Sequence, residues 1–207
     1  MEQKDMGQGE TALRPARPEF DEGLHFARYL DEAAEGFFGL MLGRDAEKIV
    51  ASAFVEPGHS LSHEHVTFAE RDGAIVGMSS AYTGAQQRGF SDETLKRAAG
   101  RSALRMKIVR TLLAPLWRIL ETVDEGDFYI QSIAVDPKLR GAGIGSLLMD
   151  DVEARARTGG AARLALDVGA RNKGARRLYA RRGMVEASEW PSSRFLPTVF
   201  VRMTKDL

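Results

Sequence analysis

Residues 140–146 read RGAGIGS, and they are the part of the chain whose types and spacing most plainly suit chemistry. Glycines at 141, 143 and 145 let a ligand approach the main chain without Cβ atoms in the way. The helical pattern that starts near Ile144 turns its unpaired amides and positive dipole end toward the same point. Backbone N–H groups arranged in this way bind a phosphate. Two common phosphate loops are excluded: G-x-G-x-x-G counted from Gly141 ends on Ser146 and counted from Gly143 ends on Leu148, and a Lys-Ser or Lys-Thr pair is missing after Gly145, where Ser146-Leu147 stands. What remains is Arg-x-x-Gly-x-Gly, preceded by a strand-like run over residues 128–135.

Residues 164–184, LALDVGARNKGARRLYARRGM, form the second informative segment. Leu164, Leu166 and Val168 alternate as one face of a strand. Asn172 suits a helix N-cap, Ala175, Leu178 and Tyr179 recur at helical spacing, and Gly183 ends the helix. Tyr179 lies two helical turns after Asn172, so both can address one site.

The pattern Arg140-x-x-Gly143-x-Gly145, together with the series Asn172, Ala175, Leu178-Tyr179 and Gly183-Met184, resembles the acetyl-CoA-binding signatures of the GNAT superfamily of N-acetyltransferases. Met184 stands where Phe is usual and fills a similar volume. The resemblance implies an α/β fold with one mixed central sheet, helices on both faces, and strands 128–135 and 164–168 splayed apart to admit pantetheine. It further implies an acetyl-CoA cosubstrate held by Ile133, Ala134, Val135, Arg140, Gly141, Ala142, Gly143, Ile144, Gly145, Ser146 and Asn172, with Tyr179 assisting departure of the CoA sulfur. No metal is expected. The acceptor is an amine of a small molecule or a peptide, and the resemblance allows a homodimer.

Transfer from a thioester to an amine requires that the amine lose a proton. An alkyl amine near pKa 10.4 is neutral in only about 1 molecule in 2500 at pH 7, equivalent to roughly 4.6 kcal/mol. The superfamily often places a carboxylate or histidine on the strand that here carries Tyr129 and Gln131, and neither is a base at neutral pH. Two routes stay open: Gln131 or a backbone carbonyl positions a water that carries the proton outward, or His63, Glu64 or His65 supplies the base. The missing base also sustains a different reading, a non-catalytic acyl-CoA-binding regulatory module. For Tyr179, a phenol near 10 protonates a thiolate near 8.5 uphill by about 2 kcal/mol, so a hydrogen bond serves as well as full transfer.

The rest of the chain must position these residues. At 207 residues with 43% hydrophobic content it can bury one good core, and one domain over residues 11–207 behind a disordered tail 1–10 is expected. Lys plus Arg and Asp plus Glu both count 29, so no overall field draws nucleic acid or an anionic membrane. The absence of cysteine excludes an acyl-cysteine intermediate, leaving direct transfer. The polar N-terminus and lack of a long apolar run point to the cytoplasm.

A first strand is expected over 11–16, two or three helices over 19–55 with Phe20, Leu24, Ala27 and Tyr29-Leu30 inward, and a hairpin turning at Asp72-Gly73. A closing strand pair is expected within 185–207. On the strand 128–135, strict alternation puts Tyr129, Gln131, Ile133 and Val135 on one side. Residues 96–118, inserted before this strand, hold seven basic and no acidic residues, with Leu104, Ile108, Leu112 and Leu116 every fourth position. Such a basic amphipathic helix is expected to pack its leucines on the sheet, with Pro115 kinking or ending it; a lid, a partner surface or a helix on an anionic membrane are the functional alternatives.

Overall fold

The computed structural model describes residues 10–112, 123–191 and 197–207. Seven strands form one sheet: β1 (Ala12–Pro15), β2 (Val66–Arg71), β3 (Ala74–Thr83), β4 (Asp127–Val135), β5 (Arg163–Gly169), β6 (Val185–Trp190) and β7 (Phe200–Asp206), in the spatial order β1-β2-β3-β4-β5-β7-β6. Only β4 and β5 pair in parallel; the other pairs are antiparallel. The mixed sheet matches the expectation. The hairpin turn is as read: Asp72 and Gly73 both have positive φ (52° and 75°), as a two-residue loop of the kind that matches strand twist requires.

Helices α1 (Phe20–Ala33), α2 (Phe37–Leu42) and α3 (Ala46–Phe54) precede β2. Their core, built on Phe26, Tyr29, Phe54, Phe68 and Met78, covers one face of the sheet. The inward face of α1 is shifted from the expected stripe: Phe26, Ala27, Tyr29 and Leu30 are buried, whereas Phe20 is 44% exposed. Helices α7 (Ile144–Thr158) and α8 (Lys173–Arg181) cover the opposite face through Met149, Val152, Tyr179 and their neighbours. Gly77 on β3 brings α7 close. A Cβ there would sit 2.8 Å from the Ala134 carbonyl oxygen and 3.5 Å from Ile144 and Leu148 side-chain carbons.

Between β3 and β4 the chain forms α4 (Gly84–Arg88), α5 (Glu93–Ala99) and α6 (Ala103–Leu112). The leucine stripe does not pack on the sheet: Leu104, Ile108 and Leu112 are 68%, 52% and 74% exposed, while Ala103, Met106 and Val109 turn inward. Gly100, at φ 47°, interrupts the helix and resets its phase. Arg105 then donates to the Leu40 carbonyl and Arg110 pairs with Asp92, fixing the polar flank against the body. Leu116, Pro115 and the tail 1–9 lie outside the described residues.

A bulge in β4 overturns the strict alternation. Ser132 pairs with Ser80 and Ile130 with Ala81, so Gln131 is left opposite no residue of β3. The extra residue inverts the phase of everything after it. Phe128, Ile130, Ile133 and Val135 therefore share the α7 face, whereas Tyr129 and Ala134 pack on the other.

Candidate active site

The parallel pairing of β4 with β5 covers only Asp127–Ile130 against Arg163–Leu166. Beyond Ile130 the two strands part, and β4 continues only along β3. The Asp136 amide donates to the Val76 carbonyl. By the alternation of an antiparallel ladder, Ala134 then also faces β3, and the amides and carbonyls of Ile133 and Val135 point into the gap. A cavity of about 370 Å³ occupies this gap. On the α8 side it is lined by Asn172, Ala175 and Tyr179, on the other by Leu30, Ala33, Phe37 and Phe38. With no β4–β5 hydrogen bonds in the way, the two faces of the sheet communicate here.

On the α8 side, the loop ahead of α7 is built as the sequence implies. Gly141 and Gly143 have φ of 86° and 84°, a region costly for other residues, and Gly143 is the N-cap of α7. The amides of Ala142 and Ser146 are taken by Leu139 and Gly143 carbonyls, but those of Gly141, Gly143, Ile144 and Gly145 have no acceptor among the described residues. Four donors are thus free at a helix N-terminus. Arg140 is engaged elsewhere, its guanidinium paired with Glu32 on α1. The Asn172 side chain caps α8 by accepting from the Ala175 amide at 3.0 Å. Tyr179 is buried at 8% exposure, its hydroxyl has no partner among the described residues, and burial pushes its pKa up to about 12.

Across the gap, the bulge turns Gln131 to the cavity, where its Oε1 accepts from Ser80 Oγ at 2.9 Å. Ser132 also lines the cavity, and its buried hydroxyl has no partner among the described residues. Tyr129 donates to Asp167 Oδ2 at 3.1 Å; burial first, and the neighbouring Asp167 second, hold its phenol well above 10, so it keeps its proton. Asp167 is clamped by Arg202 at 2.7 and 3.0 Å. Burial opposes the Arg202 charge, yet the carboxylate outweighs it and leaves that guanidinium raised.

The hairpin candidates for the base do not reach the cavity. His65 packs against Tyr82 and Phe90 with ring centroids 5.8 and 5.0 Å away, and burial lowers it to about 4. Glu64 accepts from the Gly58 amide, which leads its lowered pKa, and His63 Nδ1 lies 3.2 Å from the Phe54 carbonyl. Sequence reasoning missed Ser132, Asp167 and Glu35, all of which line the cavity. A lone carboxylate within the apolar run LALDVG was the signal available for Asp167.

The family model for the GNAT acetyltransferases matches residues 12–184. The chain belongs to the GNAT acetyltransferase family. Solved structures agree on the GNAT fold. An acetyltransferase is 23% identical with a TM-score of 0.66, the alignment covering 94% of this chain and 98% of that one. An N-acetyltransferase from Staphylococcus aureus Mu50 is 16% identical with a TM-score of 0.65, over 94% and 100%. The ribosomal-protein-S18-alanine N-acetyltransferase from Escherichia coli is 15% identical with a TM-score of 0.54, over 95% and 94%. No curated protein matches the chain. The described residues of this GNAT chain hold no group of three or more His, Asp or Glu able to bind a metal, and none of its described helices is long and apolar enough to cross a membrane.

Proposed function

We propose that the protein is an acetyl-CoA-dependent N-acetyltransferase that passes the acetyl group directly to an amine. The observation that carries this reading is the open β4–β5 gap with four free amides at one end and Tyr179 beside it. The free amides of Gly141, Gly143, Ile144 and Gly145 suit a diphosphate, and the gap-facing amides of Ile133 and Val135 suit the amide groups of pantetheine and the thioester oxygen. Acetyl-CoA supplies an acyl group activated as a thioester. Arg140 joins the diphosphate contacts only on release from Glu32, and Asn172 holds the arm through whatever its capping bond leaves free.

Tyr179 hydrogen-bonds the departing sulfur. Its proton stays on oxygen, because a phenol near 12 is a poor acid toward a thiolate near 8.5. On the other side, Gln131, held through its carbonyl oxygen by Ser80, presents its amide nitrogen, and Ser132 its hydroxyl, to order a water that takes the amine proton outward. The test is calorimetry with CoA and acetyl-CoA, combined with release of free thiol across a panel of amines and peptides. Tight binding with amine-dependent thiol release is the expected result. Binding without turnover on any amine would select the non-catalytic acyl-CoA-binding module instead, and no binding would remove both.

A further inference from the structure

The far half of the cavity carries information about the acceptor. Its walls are Leu30, Ala33, Phe37, Phe38, Tyr82 and Phe200, all apolar or aromatic. Among the described residues, no Lys, Arg or His lines the cavity. Two carboxylates do, and they differ: Asp167 is neutralised by Arg202, whereas the Glu35 side chain has no ion pair or hydrogen bond among the described residues. A lone negative charge at the edge of an apolar chamber attracts a cation and repels an anion.

Glu35 is also held in place. It is a non-glycine residue at φ 53°, a conformation that costs on the order of 1 kcal/mol. The turn around it is pinned by Asp31, whose carboxylate accepts from the Phe38 and Gly39 amides at 2.7 and 3.1 Å, and whose carbonyl accepts from the Gly36 amide at 2.8 Å. The result carries Glu35 across to β5, with its Oε1 3.2 Å from where a Cβ on Gly169 would lie. The Glu35 carboxylate therefore stands beside the β5 end of the acceptor side, at the mouth of a cavity of about 370 Å³.

We infer that the acceptor is a compact primary amine on an apolar, uncharged group, with Glu35 binding its ammonium at the cavity mouth; this rests on the acetyltransferase reading. In the reaction the N–C bond forms as the C–S bond breaks. Glu35 holds the ammonium, its proton leaves through the water ordered by Gln131 and Ser132, and the thiolate takes a proton from solvent. An acceptor carrying its own carboxylate places an unpaired anion beside Glu35 and is disfavoured.

The experiment measures thiol release with phenethylamine, phenylalanine and a short peptide, and calorimetric binding of phenethylamine to the CoA-saturated protein, for wild type and Glu35→Gln and Glu35→Asp variants. Phenethylamine is expected to have the highest kcat/KM, with phenylalanine lower by at least about tenfold. Glu35→Gln is expected to lower kcat/KM roughly 10- to 100-fold, through KM, and to weaken phenethylamine binding by a similar factor. Glu35→Asp should recover part of the loss, and the acetyl-CoA Kd should stay unchanged in both. Since Glu35 is exposed and its side chain has no partner among the described residues, the variants are expected to melt as wild type does. Preference for phenylalanine or the peptide, or a Glu35→Gln variant equal to wild type, overturns the inference and leaves the acetyltransferase intact. Failure to bind acetyl-CoA overturns both.

Discussion

Tyr179→Phe separates a hydrogen bond to the leaving sulfur from a proton transfer. The phenol sits near 12 because it is buried, and a CoA-type thiol ordinarily lies near 8.5. Moving the proton across that gap of roughly 3.5 units costs about 5 kcal/mol, more than a hydrogen bond to a developing thiolate returns. The hydroxyl therefore acts as a donor only. Removing a donor to a charged group costs about 1.5–3 kcal/mol, which predicts a fall in kcat of roughly 10- to 150-fold. Two controls follow from the structure. The hydroxyl has no partner among the described residues, so Phe keeps the packing of the ring and stability should not fall. With the phenol near 12, Tyr179 should place no inflection in the kcat profile below pH 10. Stopped assays of thiol release with saturating acetyl-CoA give kcat, and calorimetry gives the CoA Kd, expected to be unchanged. The deficit should shrink for acetyl donors whose thiol is more acidic, because less charge then needs support. A kcat within twofold of wild type with intact binding refutes the role, as does a deficit independent of the leaving thiol.

Three further expectations rest on separate parts of the molecule. Gly143→Ala should cost about 1 kcal/mol and weaken acetyl-CoA binding, because φ 84° does not suit alanine. Gly145→Ala, whose Cβ would meet the Leu178 and Val135 side chains at 3.7–3.8 Å, should leave stability in urea near wild type. Asp167→Asn breaks a pair in which the carboxylate side chain is 2% exposed, and should lower stability in urea by about 3 kcal/mol. The last concerns acid. His65 is lowered to about 4 in the folded state from an ordinary value of 6.5, so the unfolded chain binds the proton more readily between those values. Stability is full above 6.5 and falls as pH drops toward 4, by about 3 kcal/mol, with His59 acting in the same direction; His65→Phe should flatten that slope in urea titrations at stepped pH.

How much of this was legible in the sequence depended on which atoms do the work. The loop 140–146 and the cap at Asn172 are main-chain features, and main-chain features constrain residue type locally: positive φ selects Gly141 and Gly143, and an unpaired amide at a helix start selects Asn172. The bulge was not legible. It arises from a mismatch of register between Ser80/Ala81 and residues 130–132, and nothing within β4 marks Gln131 as the surplus residue. The inward face of α6 failed for a related reason, since the fourfold repeat of Leu104, Ile108 and Leu112 is genuine but Gly100 and the two arginine anchors decide which face turns inward.

The same distinction divides the site itself. The donor half is lined by backbone groups on loop, strand and helix start, so the same ligand can be held under many side-chain sets, and its signature survives in a short motif. The acceptor half is lined by side chains from α1, α2, β3 and β7 and by one carboxylate in a strained turn, brought together only by the fold. Glu35, Phe37 and Phe38 stand apart from the donor half because the β4–β5 pairing ends at Ile130 and Leu166, while the Glu32–Arg140 ion pair ties α1 to the donor loop. Substitutions among Glu35, Phe37 and Phe38 should therefore change which amine is acetylated while leaving the acetyl-CoA Kd alone, and substitutions at Gly143 should do the reverse. A variant in either half that moved both quantities together would show that the gap is not the boundary between the two.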